Sequence, residues 1–243
     1  MLSSTKFYQT NSKLKKDLPS IPDTLKTDED ITRWVLRQDI PYIELDIDFN
    51  VDAWQKEALL AEPYFVNHRE NQQHMGWRSC CVHGIDVDKT GIWSCYADIE
   101  PEYKWTTLSE LTPIIKHFWQ QFPFEKLARV RFMRLEPSGY IAPHHDTPKE
   151  YNTDSENLDY LIPVNIAIDH PDDCHMTLKD HGIVPWKTGN VKIVNITNYH
   201  SVINCSEHIR THLIGHGIVG NRIKQFSELI ARSYKKQYER SKI

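Results

Sequence analysis

A mainly β domain with flanking helices, closing as a sandwich or barrel in its second half, is what this sequence predicts. Two observations predict it. Between residues 127 and 217, short runs rich in Val, Ile, Tyr and Phe are separated by Gly, Pro, Asn and Asp, the pattern of many short strands joined by turns. On either side of that stretch, apolar residues recur at helical spacing. The bulk numbers agree: 243 residues are enough for one well-cored domain, and 40% hydrophobic with 11% aromatic residues excludes a disordered chain.

The elements follow in order. Residues 1–30, rich in Lys, Ser, Thr, Asp and Pro, read as a weakly structured N-terminal extension, and residues 31–243 as a single catalytic domain. Within it, 31–125 reads as a helical and mixed part, 126–217 as the β core and 218–243 as a C-terminal helix. A short helix is expected from Ile31 to Val35, and the alternation from Tyr42 to Phe49 reads as a strand. Ala53 to Ala61 reads as a helix with Asp52 as its N-cap. Gly76 to Gly84 reads as a strand, and Leu108 to Phe122 as one amphipathic helix whose aromatic row, Phe118, Trp119 and Phe122 with Phe124, is core. Strands are then expected at Leu127–Leu135, Tyr140–His144, Tyr160–Ile168, His175–Leu178, Val191–Ile196, His200–Asn204 and Ile209–Ile214. Pro137, Ser138 and Gly139 read as a turn, as does His170-Pro171-Asp172. A last helix runs from about Arg222 to Tyr238.

Several function classes are disfavoured. A net charge of −4 gives no basic nucleic-acid footprint, and the locally basic run from Lys224 to Lys242 reads as a solvated helix face. No run approaches the roughly 18 apolar residues of a membrane span. Five cysteines, two of them adjacent at Cys80 and Cys81, make a poor disulfide framework, so a reduced, cytoplasmic setting is expected. The expected partner is a small molecule or peptide, with neither nucleic acid nor membrane.

The chemistry is carried by His144-His145-Asp146. In an extended segment residues i and i+2 point to one side, so His144 and Asp146 can share an ion while His145 turns away. Two His and one carboxylate on one face, with open positions left over, suit non-haem iron(II). Alone the tripeptide is weak: with 13 His in the chain, about one such pattern is expected by chance, and His170-Pro171-Asp172 is a second. Context comes from His200, at the head of a strand. A hairpin centred on Cys205 would pair His200 with Arg210 on one face, with His212 beside Arg210. A cation beside a metal ligand calls for an anion between them, and a dicarboxylate chelating the ion and reaching Arg210 satisfies both. A satisfied core histidine and a site residue are both open readings of His212.

Here the residues resemble a known family. The run Arg134-Leu135-x-Pro137-x-Gly139-x-Ile141-x-Pro143-His144-x-Asp146, followed by His200-Ser201-Val202-x-Asn204-x-Ser206-x-x-x-Arg210-x-His212-Leu213, is similar to the aspartyl/asparaginyl β-hydroxylases, which include free-amino-acid members such as proline hydroxylases. The resemblance covers roughly residues 129–215. It implies a double-stranded β-helix, the jelly roll of cupin-like proteins. It further implies Fe(II) on His144, Asp146 and His200, with 2-oxoglutarate and O2 as cosubstrates. Arg210 would take the distal carboxylate of 2-oxoglutarate, with His212 nearby. Some members lack the carboxylate ligand, whereas Asp146 is present, as in the free-amino-acid enzymes. Many members carry an Arg-x-His pair where this chain has Asp159-Tyr160-Leu161-Ile162-Pro163, so contacts made by that pair do not transfer.

The implied reaction is hydroxylation of an amino-acid side chain, free or in a peptide. Trp77, Arg78, Arg131 and Arg134 are the candidates for substrate contact, although Trp77 and Arg78 also read as packing. Arg131 and Arg134 point to opposite faces of one strand, so one of the two can face a pocket. Two competing functions remain. One is a cupin-like isomerase or dioxygenase that does not use 2-oxoglutarate and does not need Arg210. The other is a non-catalytic jelly-roll binding module.

Overall fold

The computed structural model describes residues 18–69, 74–91, 102–146 and 158–242. The first helix, α1 (Asp28–Leu36), starts three residues earlier than expected because Thr27 and Asp30 form a reciprocal capping box. Ahead of it, Leu18, Ile21 and Leu25 already pack on the core. Strand β1 (Tyr42–Glu44) is shorter than its alternation predicts. It pairs with β9 (Val191–Val194) in the register Tyr42↔Val194 to Glu44↔Lys192, and beyond Leu45 its partner has ended. Helix α2 (Val51–Leu60) is capped by Asn50, whose side chain accepts from the Ala53 amide at 3.0 Å, rather than by Asp52.

The amphipathic run at 108–122 is interrupted. Thr107–Glu110 forms a single 3₁₀ turn, and α3 begins at Pro113 and runs to Gln121. Proline has no amide hydrogen and disfavours helix at the residue before it, so Pro113 starts a helix and does not continue one. The Glu57 carboxylate of α2 closes the new N-terminus, accepting from the Ile114 and Ile115 amides at 2.7 and 2.9 Å.

The β core consists of β5 (Lys126–His144), β6 (Ile162–Asp169), β7 (Cys174–Leu178), β8 (Gly182–Val184), β9, β10 (His200–Asn204) and β11 (Arg210–Ile218). The strand order β1-β9-β6-β11-β5-β10-β7-β8 is antiparallel throughout. Strand β5 serves both halves of this order. Residues 126–135 pair with β11 in one sheet, and residues 140–144 pair with β10 in the other. Two facing four-stranded halves, β5-β11-β6-β9 and β5-β10-β7-β8, make the expected double-stranded β-helix.

The segment 137–139 is therefore a kink and not a reversing turn. Ser138 has φ 59°, and a Cβ on Gly139 would meet the carbonyls of Glu136 and Met75 at 2.7 and 2.9 Å. Strand β3 (His74–Gly84), which runs alongside β5, bends at the same place, where Gly76 has φ 70°. The short β2 (Val66–Asn67) and β4 (Lys104–Trp105) pair with β3. Strand β8 was not legible in the sequence: it is three residues long and opens on Gly182 at φ 95°.

One face of the β5-β11-β6 sheet carries Phe132, Val130, Leu213, Val164 and Ile166 into the main core, against the aromatic residues of α3. Gly215 lies directly on the Trp119 ring, leaving no room for a side chain there. The C-terminal helix, α4 (Ile223–Ser241), docks on α1 and β1. Its basic residues Arg232, Lys235, Lys236 and Arg240 pair with Asp46, Asp28 and Glu44, so this run is a docking face as much as a solvated one.

Candidate functional site

The opposite face of that sheet lines the interior, and its side chains follow from register. Cross-strand partners share a face, so Trp77, Leu135 and Arg210 form one row; Ser79, Met133 and His212 form the next. Cys81, Arg131 and Ile214 form the third, followed by Arg129 and His216. Beyond β11, Ala167 and Asn165 of β6 and Lys192 of β9 continue this face. A second apolar cluster, including Leu135, Ile141, Ala167, Val194, Val202 and Trp186, joins it to the other sheet.

His144 and His200 are cross-strand partners at the end of β5 and the start of β10. Between them and the next pair, Ile141↔Val202, three steps of β5 match two of β10. This bulge turns Ile141 and His144 to the same side, which simple alternation would forbid. Asp146 follows just beyond the strand, its amide bonded to the Ile196 carbonyl at 3.1 Å. Ligand atoms from His144, Asp146 and His200 all lie within 4.8 Å of one another. The ring of His145 turns away onto Tyr199, 4.7 Å between centroids.

Both histidines are oriented by the backbone. Nδ1 of His144 donates to the Ala142 carbonyl at 2.8 Å, and Nδ1 of His200 to the Asn198 carbonyl at 3.0 Å. With the proton on Nδ1, each Nε2 lone pair is left free to bind a metal. Burial, with His144 beside it, lowers the His200 pKa to about 4, so the imidazole is neutral and available as a ligand. Two imidazoles and a carboxylate with open positions are the donor set of a non-haem iron(II) site, so the residues fit that ion.

Arg210 begins β11 and is 4% exposed. Its Nη2 donates to His212 Nδ1 at 2.8 Å, and its Nε finds no hydrogen-bond partner among the described residues. Among the described residues no carboxylate pairs with it, and burial lowers its pKa to about 10. A buried guanidinium without a counterion is a receptor for an anion, so the surroundings fit a dicarboxylate cosubstrate.

His200 and Arg210 are not hairpin partners. Each pairs with β5, His200 with His144 and Arg210 with Leu135, because the chain crosses from one sheet to the other between them. Asn204 braces the crossing: its Nδ2 donates to the carbonyls of Leu135, Glu136 and His208 at 3.1, 3.2 and 2.7 Å. The two residues thus belong to facing sheets, a separation that suits a ligand reaching across the interior better than adjacency would.

The four candidate substrate residues divide by face. Arg131 and Trp77 face the interior. Burial lowers the Arg131 pKa to about 10, with Asp146 among the groups that oppose the shift, and its Nη1 donates to the Thr90 carbonyl at 2.5 Å. The Trp77 ring lies 6.4 Å from that of His144 and 4.9 Å from that of His74. Arg78 and Arg134, cross-strand partners of each other, point to the other side. Arg134 pairs with Glu62 and Glu136, and Arg78 donates to the Phe65 carbonyl at 2.8 Å.

Among the interior residues whose place escaped the sequence reading are Lys192 and His170. Lys192 is fully buried, ion-paired with Glu44, with its ammonium 4.6 Å over the Tyr42 ring and 5.4 Å over Trp186. His170 lies directly before the turn, which runs from Pro171 to Cys174, and its ring is buried against His212. A cavity of about 360 Å³ between α1, β1 and β9 is lined by none of the three candidate metal ligands.

The model of the family described as aspartyl/asparaginyl beta-hydroxylase matches residues 46–217, more than half of the chain. No curated protein shows a significant sequence match. Among solved structures, the chain is similar to a Pseudomonas putida prolyl-4-hydroxylase, at 13% identity and TM-score 0.44, covering 79% of this chain and 98% of that one. It is also similar to an oxidoreductase of the 2OG-Fe(II) oxygenase family from Burkholderia pseudomallei, at 14% identity and TM-score 0.47, covering 83% and 95%. A third is HygX from Streptomyces hygroscopicus, with nickel and 2-oxoglutarate bound, at 9% identity and TM-score 0.43, covering 73% and 83%. These are distant likenesses, and the family rests on the first match.

Proposed function

The chain belongs to the aspartyl/asparaginyl beta-hydroxylase family, and from that premise we propose that it is an iron(II)- and 2-oxoglutarate-dependent oxygenase hydroxylating an amino-acid side chain, free or in a peptide. The observation that carries this reading is the convergence of His144, Asp146 and His200 within 4.8 Å, on the interior that also holds a buried Arg210 with no carboxylate partner among the described residues. A cosubstrate-free cupin has no use for such an arginine, and a binding module has no use for the triad.

In this reading His144, Asp146 and His200 hold the ion. When bound, iron(II) with 2-oxoglutarate and O2 supplies the oxidising power, yielding succinate and CO2 as a C–H bond becomes an alcohol. The protein's own residues bind and orient. Arg210, whose Nε has no hydrogen-bond partner among the described residues, takes the distal carboxylate of 2-oxoglutarate. Arg131 supplies a second interior cation for the carboxylate of an amino-acid substrate, and Trp77 forms an apolar wall beside His144. Leu135, Ile141, Val202 and Trp186 keep water out of the interior behind the ligands.

Anaerobic titration with Fe(II) and then 2-oxoglutarate tests this directly. A weak visible charge-transfer band requiring both additions is expected, and it weakens in Arg210→Met. Hydrogen bonds to a charged group contribute about 1.5–3 kcal/mol each, so 2-oxoglutarate affinity falls at least roughly tenfold in that variant. Iron binding with no band would overturn the 2-oxoglutarate assignment, and no iron binding would overturn the oxygenase.

A further inference from the structure

Three buried hydrogen bonds run behind Arg210. Its Nη2 meets His212 Nδ1 at 2.8 Å, His212 Nε2 meets His170 Nδ1 at 2.9 Å, and His170 Nε2 meets the Cys174 carbonyl at 2.9 Å. The direction of the chain is forced at each step. A guanidinium only donates, so His212 Nδ1 must accept and its proton lies on Nε2. His170 Nδ1 must then accept, which places the proton of His170 on Nε2, where the carbonyl takes it. Both rings are neutral in this arrangement, and burial and the Arg210 charge hold both pKa values down.

His170 is itself fixed. Its backbone amide donates to Thr188 Oγ1 at 2.9 Å, and the Trp186 ring packs on both imidazoles, 4.7 Å from His212 and 6.1 Å from His170. The segment His170-Pro171-Asp172 between β6 and β7 therefore delivers a buried acceptor to the interior behind Arg210. Were His212 to carry its proton on Nδ1, two N–H groups would face each other and the guanidinium would have to move.

We propose that His170 is a positioning residue which, through His212, holds the Arg210 guanidinium in the orientation that meets the distal carboxylate of 2-oxoglutarate. This rests on the function proposed above, and the test separates the two. Asparagine keeps an acceptor at the position of the His170 Nδ1 atom, and leucine removes it. Calorimetry of anaerobic Fe(II)-loaded protein with 2-oxoglutarate is expected to show affinity weakened about tenfold in His170→Leu and largely restored in His170→Asn. In turnover, the KM for 2-oxoglutarate rises in His170→Leu while the KM for the substrate does not.

Nitrogen NMR of histidine-labelled, metal-free protein is expected to show His212 as the pure Nε2–H tautomer in the parent and as a mixture in His170→Leu. Parent-like 2-oxoglutarate affinity in a folded His170→Leu protein, or an Nδ1–H tautomer at His212 in the parent, overturns the proposal. If His170→Leu does not fold, the parent tautomer and the affinity of His170→Asn decide the matter. If the iron-loaded parent does not bind 2-oxoglutarate, the proposed cosubstrate falls, and the orientation assigned to Arg210 falls with it.

Discussion

On β5, Arg131 and Arg134 lie three residues apart, an odd spacing that turns them to opposite faces of an extended strand. Spacing alone could not say which of them faced inward. Register does: Arg131 lines up with Cys81 and Ile214 on the interior face, and Arg134 with Arg78 and Thr211 on the other. The two substitutions to leucine should therefore separate. Arg131→Leu is expected to raise the substrate KM about 10- to 100-fold with a smaller change in kcat, as the loss of one charged contact to a carboxylate would. Arg134→Leu, which loses ion pairs to Glu62 and Glu136, is expected to leave steady-state kinetics intact and cost about 1 kcal/mol of stability. Equal kinetic effects of the two would remove Arg131 from the substrate site. At this scale His170 was legible only as part of a turn, because a single residue's neighbours across two sheets leave no trace in its local sequence.

At the scale of elements, most of the longer strands were readable because each is a short run rich in apolar residues that ends on turn-forming residues. Pairing was not, because it depends on contacts distant in sequence. The kink of β5 at Ser138 and Gly139 shows the difference: the same residues read equally well as a reversing turn, yet they pass one strand from sheet to sheet. The helix broken at Pro113 is another kind of miss, since the apolar spacing from Leu108 continues through a residue that cannot extend a helix. The crossing between β10 and β11 offers a test of how elements set the site. Asn204 Nδ2 reaches three carbonyls there, of which Ser206 Oγ shares only that of His208, so Asn204→Ala removes the side-chain bonds to the Leu135 and Glu136 carbonyls. A loss of about 2–3 kcal/mol in urea unfolding is expected. Because the crossing also sets where Arg210 stands relative to His200, weaker 2-oxoglutarate binding should accompany it, with iron affinity little changed. A stable variant with unaltered affinity would mean that the sheets, and not the crossing, hold the two residues.

Across the whole molecule, the interior of the double-stranded β-helix is polar where most cores are apolar, and its histidines are held neutral. Burial pushes the His170 pKa down to about 3, and His212 and His216 well below their ordinary value, with nearby arginine charge adding to the effect in each case. In the unfolded chain each titrates near pH 6.5. Below that value the unfolded state takes up protons that the folded state refuses, so acid favours unfolding. The stability these groups contribute is fully present above about pH 6.5 and declines as pH falls from there towards 3. Each histidine costs about 1.4 kcal/mol per pH unit once well below 6.5, so three together remove roughly 3–4 kcal/mol between pH 7 and pH 5.5. Urea unfolding of metal-free protein across that range should show the decline, well above the pH at which carboxylates protonate. Replacing His216 with a neutral isostere such as Gln should flatten the slope by about one proton. A stability profile level from pH 7 to pH 5.5 would mean that the interior accepts charged histidines, and the neutral, directed chain from Arg210 to Cys174 could not then persist in acid.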